Sequence, residues 1–227
     1  MARQNTIFES AHKGDFDLIK NRLEEDPSLL SKVDENDRIL LHWCSVGGSF
    51  KLATLLVELG SPIDPRDDTD TTPLILASSA GHAEIVNLLL EKGANVNHQS
   101  CEGHSALQYA ASKGWLSICL KLLEYKANIN ICDKRGATPL HRAASKGNLE
   151  IVRLLIENGG LLNVNARDVY GCTALHLACE EDRQDVAKLL VQNGGDLDSK
   201  NRDGLTPLEL CTMHLKKALE IIKSKIH

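Results

Sequence analysis

TTPLILASSAGH (71–82), HSALQYAASKGW (104–115) and ATPLHRAASKGN (137–148) fall on one another when the chain is slid along itself. The overlap puts Thr72, Ser105 and Thr138 in one slot. Ile39 upstream and Thr173 and Thr206 downstream continue the series, at intervals of 33, 33, 33, 35 and 33 residues. A fixed period of this size marks a stack of supersecondary units rather than one closed core.

Each position in the period has a physical task. Nine residues after the slot stand Gly48, Gly81, Gly114 and Gly147, where a first short helix needs a left-handed end. Twenty-one residues after it stand Gly60, Gly93, Gly159 and Gly194, ending a second helix. Between them runs an amphipathic segment, clearest in Ile85, Leu88 and Leu89 and again in Ile151, Leu154 and Leu155. Pro73, Pro139 and Pro207 sit at helix starts, where a missing N–H costs nothing. The pairs Ala110-Ala111 and Ala143-Ala144 let neighbouring first helices approach closely. Asp133-Lys134-Arg135-Gly136 and Asp168-Val169-Tyr170-Gly171 read as hairpin turns. Asp37 and Asp70 stand where the turn usually has glycine, Asp182 replaces a first-helix glycine, and Lys126 replaces a second-helix one. An earlier, degenerate unit fits from Asn5, and the last unit lacks its glycine at Leu215.

These residues resemble the ankyrin repeat, with its turn, TPLH-x-A signature and two antiparallel helices. ATPLHRAASKGNLEIVRLLIENG (137–159) and CTALHLACEEDRQDVAKLLVQNG (172–194) are close matches. The fold expected is all-α: an ankyrin-repeat solenoid of seven helix-turn-helix units joined by β-hairpin-like turns. It forms a single domain over 1–227, with units near 5–38, 39–71, 72–104, 105–137, 138–172, 173–205 and 206–227.

Composition narrows the function. Hydrophobic residues make up 42% of the 227, charged residues 25% and aromatics only 4%, which suits close packing of small aliphatic side chains in a soluble chain. A net charge of -5 disfavours nucleic acid as a partner. No apolar run is long enough to span a bilayer, and the first residues have no signal-peptide core, so a soluble intracellular protein is expected. The seven cysteines are odd in number and lack CxxC spacing, which predicts free thiols.

No catalytic constellation stands out, so an enzyme is not expected, and neither a metal nor a cofactor is called for. His42, His141 and His176 occupy the TPLH slot, where the resemblance implies a hydrogen bond to the backbone of an adjacent unit. Asp67, Asp68 and Asp70 read as a solvated acidic turn, because the ligand pattern of a calcium loop is missing. Leu177-Ala178-Cys179-Glu180-Glu181 spells LxCxE, a motif by which several proteins bind the retinoblastoma pocket. Those bound peptides are extended, whereas here Leu177, Cys179 and Glu181 fall in a first helix with Cys179 in the packed pair, so burial is expected.

Stacks of this kind curve, and the concave side presents turn tips and outer residues of first helices. The slots predicted to face a protein partner hold Arg38, Trp43, Asp68, Thr71 and Ser79. Further along come Tyr109, Ser112, Lys113, Lys134, Arg135, Arg142, Lys146 and Tyr170. Trp, Tyr and Arg are the types enriched in binding hot spots. Charge is uneven along the stack: 1–71 carry -6, 72–171 carry +2 and 172–227 carry -1. A partner with a complementary two-signed surface would be steered into one register.

DENDRILLHWCSVGG (34–48), YAASKG (109–114), HRAASKGNL (141–149) and TALHLACEEDRQDVAKLLV (173–191) are similar to the gankyrin family, ankyrin-repeat regulatory subunits associated with the proteasome. The resemblance implies an assembly chaperone for the regulatory particle that grips the C-terminal domain of one AAA+ ATPase subunit, as a monomer in cytoplasm and nucleus. It matches Arg38 and Lys113 to ion-pairing positions, and Trp43 and Asp68 to further contacts. At Thr71 the animal protein has an aromatic contact. The alternative is a generic ankyrin adaptor for a cell-cycle kinase, transcription regulator or retinoblastoma-type partner.

Overall fold

Each repeat period folds into two short antiparallel helices, as seen in a computed structural model that describes residues 6–158 and 160–226. The pairs are α1 and α2 (Ile7–Lys13, Phe16–Glu25), α3 and α4 (Leu40–Gly47, Phe50–Glu58), and α5 and α6 (Pro73–Ala80, Ala83–Glu91). They continue with α7 and α8 (Ala106–Lys113, Leu116–Glu124) and α9 and α10 (Pro139–Lys146, Leu149–Glu157). The series ends with α11 and α12 (Ala174–Glu180, Gln184–Gln192) and α13 and α14 (Pro207–Leu210, Met213–Ile226). The helices fall into two compact units, Met1–Ala106 and Leu107–His227.

In the first unit α1 packs on α3 and α3 on α5; in the second, α9 packs on α11 and α11 on α13. Small residues permit this: Ala110, Ala111, Ala143, Ala144 and Ala178 are fully buried. The second helices bury the expected stripe, with Leu52 and Leu56, Ile85 and Leu89, Ile151 and Leu155 all at 2% exposure or less. Truncating one such leucine to alanine typically costs about 2–5 kcal/mol.

The backbone signals fall where the period places them. Asp37, Asp70, Lys126 and Asp182 are the non-glycine residues with positive φ among those described, at 58°, 57°, 65° and 50°. At the chain ends the units deviate. Helix α1 is capped by Thr6, whose hydroxyl accepts from Glu9 N–H while the Glu9 carboxylate accepts from Thr6 N–H. Asn5, the expected start, lies outside the described residues, as does Gly159. In the last unit α13 is a single turn. Without a glycine to close a longer first helix, Cys211 turns extended, and α14 begins early enough to bury Leu215 and Leu219.

The hairpin-like turns hold by backbone bonds without becoming strands; a single antiparallel bridge, Gln99 with Ser105, forms among the described residues. In each turn one N–H closes on the carbonyl four residues on, as in Asp67 to Thr71 (3.1 Å), Asp133 to Ala137 (3.2 Å) and Asp168 to Cys172 (2.9 Å). Successive tips are joined too: Asp68 N–H donates to Asn36 O and Cys101 N–H to Thr69 O in the first unit. In the second, Val169 N–H donates to Arg135 O and Arg202 N–H to Tyr170 O. The two-residue insertion loops out at Leu161, which is 88% exposed, while Asn163 N–H still reaches Asn130 Oδ1 at 3.0 Å.

Candidate protein-interaction surface

The turn tips owe their shape to a carboxylate five residues before the repeat slot. Asp34 Oδ1 accepts from the Asn36 and Arg38 N–H groups, Asp67 Oδ1 from Thr69 and Thr71, Asp133 Oδ1 from Arg135 and Ala137, and Asp168 Oδ1 from Tyr170 and Cys172. Asn201 does the same for Asp203 and Leu205. Asp67 is therefore buried, at 5% exposure, and only Asp68 and Asp70 of that acidic turn face solvent. The expectation of a wholly solvated turn fails because the backbone amides need an acceptor inside it.

In the first unit these carboxylates also fix the two strongest candidates. Arg38 donates through Nε and Nη2 to Asp67 Oδ2, both at 2.9 Å, and its guanidinium lies 5.4 Å from the Trp43 ring centroid. Trp43 Nε1 donates to Asp34 Oδ2 at 2.8 Å, and the indole meets His12 edge-on at 5.9 Å. Burial pushes the Asp67 and Asp34 carboxyls up, but their donors outweigh it: the Thr69 hydroxyl, Thr71 N–H and Arg38 for Asp67, and the Arg38, Asn36 and Trp43 N–H groups for Asp34. Both therefore titrate below the usual carboxylate range. Trp43, His12, Phe8 and Glu35 border a groove of about 610 Å³. Asp68 is exposed and Ser79 half-buried. Thr71 is buried, with its hydroxyl 2.9 Å from that of Thr69, so it shapes the turn rather than offering a contact.

In the second unit, five of the expected residues line one cleft of about 290 Å³: Ser112, Arg135, Arg142, Lys146 and Tyr170. Arg142 is anchored by an ion pair to Asp133, whose side chain is 1% exposed. Arg135, Lys146 and Tyr170 are exposed, Tyr170 at 59%. Lys113 and Lys134 are exposed and Tyr109 is half-buried. Sequence reasoning missed Asp34 and Asp133 as anchors, although an acidic residue recurs at 34, 67, 133 and 168 in step with the repeat.

The TPLH histidines are structural. His42 Nδ1 accepts from Ile39 N–H (3.1 Å), so its proton sits on Nε2, which donates to Thr71 O (3.2 Å). His141 and His176 repeat the arrangement with the carbonyls of Cys172 and Leu205. Gln108 fills the same slot and reaches Ala137 O. Burial holds all three imidazoles below their usual range, overriding the carbonyls and nearby carboxylates that pull the other way. The LxCxE stretch is helical through Glu180, with Cys179 buried, Leu177 half-buried and Glu181 exposed. Burial pushes the Cys179 thiol far up and those of Cys44 and Cys119 up to about 12, as befits packing cysteines.

Residues 7–100 and 94–168 match the family described as ankyrin repeats (3 copies), and 155–211 match ankyrin repeats (many copies). The chain belongs to the ankyrin-repeat family. The human ASB11 ankyrin repeat domain, a solved structure, shares this ankyrin fold with a TM-score of 0.86 at 26% identity, over 96% of this chain and 98% of that one. The ankyrin repeats are also 41% identical over 67 residues to the Mus musculus 26S proteasome non-ATPase regulatory subunit 10. That match covers 30% of this chain and 29% of the relative. The Homo sapiens protein of the same name is 40% identical over 63 residues, 28% of each chain. The matched segment thus spans less than a third of these relatives' length.

Proposed function

We propose that this ankyrin-repeat protein, a protein-binding scaffold, chaperones assembly of the 26S proteasome regulatory particle by binding the C-terminal domain of an AAA+ ATPase subunit. The gathering of Arg135, Arg142, Lys146, Ser112 and Tyr170 about one cleft carries the reading, because such residues bind protein surfaces and need no chemistry of their own. Similarity to proteasome non-ATPase regulatory subunit 10 favours a proteasomal partner. The mechanism is steric: an occupied ATPase tail keeps the immature base from docking early on the core particle. On this reading the protein works as a monomer in cytoplasm and nucleus. A retinoblastoma-type partner fits less well, because a helical LxCxE with a buried cysteine cannot lie extended in a pocket.

The test is titration with a purified proteasomal ATPase C-terminal domain. Lys113 is exposed, so Lys113→Glu leaves helical content intact, and affinity is expected to fall at least tenfold, a loss of about 1.4 kcal/mol. Equal affinity would remove Lys113 from the interface, and no binding by the unaltered protein would remove the ATPase as partner. Reversing Arg38 is a poorer test, since a carboxylate there would face buried Asp67 and disturb the turn.

A further inference from the structure

We infer that the cleft of the second unit is a receptor for a phosphorylated side chain on a protein partner. The inference rests on the reading that this face meets a protein, but it does not depend on that protein's being an ATPase.

The cleft gathers donors from two successive repeats, 105–137 and 138–172. Ser112 comes from the end of α7, Arg135 from the following turn, Arg142, Ser145 and Lys146 from one face of α9, and Tyr170 from the next turn tip. Arg135 and Lys146 make no ion pair among the described residues, and the hydroxyls of Ser112, Ser145 and Tyr170 have no partner there. Arg142 is held in place by buried Asp133. The one carboxylate in the lining, Asp168, directs Oδ1 to two backbone N–H groups of its own turn, and His141 stays neutral through burial.

Two unpaired cations, a fixed guanidinium and three open hydroxyls make a donor-rich pocket with little to neutralise it. A carboxylate brings one charge and two oxygens, whereas a phosphomonoester brings about -1.5 to -2 and three acceptor oxygens. The phosphate group matches both the two unpaired cations and the hydroxyl count. A cleft of about 290 Å³ also has room for the side chain that carries it. The repeat explains the location. The position seven after the slot is serine at 79, 112 and 145, and the position eight after it is lysine at 113 and 146. In the next unit these same two positions turn to Glu180 and Glu181, which closes the basic stretch.

The test follows amide and side-chain NMR shifts of the full chain during four titrations. The probes are a short alanine–glycine peptide with one phosphoserine, the same peptide with glutamate, the same with serine, and inorganic phosphate. The phosphopeptide is expected to shift Arg135, Lys146 and Tyr170 and to bind at least tenfold tighter than the glutamate peptide. Arg135→Ala with Lys146→Ala, both exposed positions, should cost at least tenfold for the phosphopeptide with unchanged circular dichroism, and Tyr170→Phe a smaller factor. Equal binding of phosphoserine and glutamate peptides, or full binding by the double variant, overturns the proposal. Inorganic phosphate as tight as the peptide overturns a protein source for the ligand. If the ATPase domain binds but phosphopeptides do not, only this inference fails; the reverse result removes the ATPase and leaves the cleft.

Discussion

Thr72 and Thr138 occupy the same slot with opposite energetics. Thr138 Oγ1 lies 2.8 Å from His141 Nδ1, whereas two units earlier in the chain the histidine position is Ile75 and the buried Thr72 hydroxyl has no partner among the described residues. Removing a satisfied hydroxyl costs about 1 kcal/mol or more, while replacing an unsatisfied one by an isosteric methyl returns its desolvation penalty. Thr138→Val should therefore lower unfolding stability by about 1–2 kcal/mol in urea titrations, and Thr72→Val should raise it by roughly 1 kcal/mol. The histidines set a pH dependence. Their folded-state affinity for protons is depressed by burial, so the unfolded chain binds more protons, and the stability they contribute is full above the ordinary imidazole value of 6.5 and lost as pH falls below it. Each contributes a slope of up to about 1.4 kcal/mol per pH unit. Asp34 and Asp67 add a second loss only below 3.8, since their folded values are also lowered. Urea midpoints should therefore stay nearly level from pH 7.5 to about 6.5 and fall from there to pH 5. His141→Gln should flatten that fall, because Gln108 already shows that an amide reaches the same carbonyl position. Midpoints independent of pH over that range would contradict the neutral imidazoles.

Helix ends were legible because backbone sign is a local matter: a slot that holds glycine in most repeats keeps its left-handed geometry when Lys126 or Asp182 replaces it. Close approach was not legible in the same way. At Gly47 an added Cβ would lie 1.9 Å from His12 O, a consequence of how α1 crosses α3 that no single period records. The buried Asp67 and Asp133 were likewise hidden, since their partners Arg38 and Arg142 are set by turn geometry and not by spacing alone. The substituted helix ends make a paired prediction. Lys126→Gly relieves a left-handed residue with a side chain and should stabilise the protein by about 1 kcal/mol. Asp182→Gly relieves the same strain but removes the acceptor of the Thr212 hydroxyl, 3.0 Å away, so its gain should be smaller or absent. Thermal melts of Lys126→Gly, and of Asp182→Gly made alone and on a Thr212→Val background, decide it; an equal gain from Asp182→Gly on both backgrounds would mean that the Thr212 bond contributes nothing.

The two compact units differ in sign: Met1–Ala106 has nine basic and seventeen acidic side chains, -8, and Leu107–His227 has seventeen basic and fourteen acidic, +3. Neither balance is needed for packing, because the core of each unit is aliphatic and the ion pairs that shape the turns are already closed internally. The uncompensated charge is therefore available to a partner, and its effect should be on approach more than on residence. Exposed charges act over about 8 Å at physiological ionic strength and about 30 Å at 0.01 M, so steering is the first contribution that salt removes. Stopped-flow association with the ATPase C-terminal domain should slow by at least tenfold between low and high salt, while dissociation changes less. Neutralising Lys113 and Lys134 together should flatten that salt dependence, because it removes exposed cations of the positive unit and leaves the turn-forming pairs alone. An association rate indifferent to salt would mean that the interface is apolar and that the opposite signs of the two units serve solubility instead.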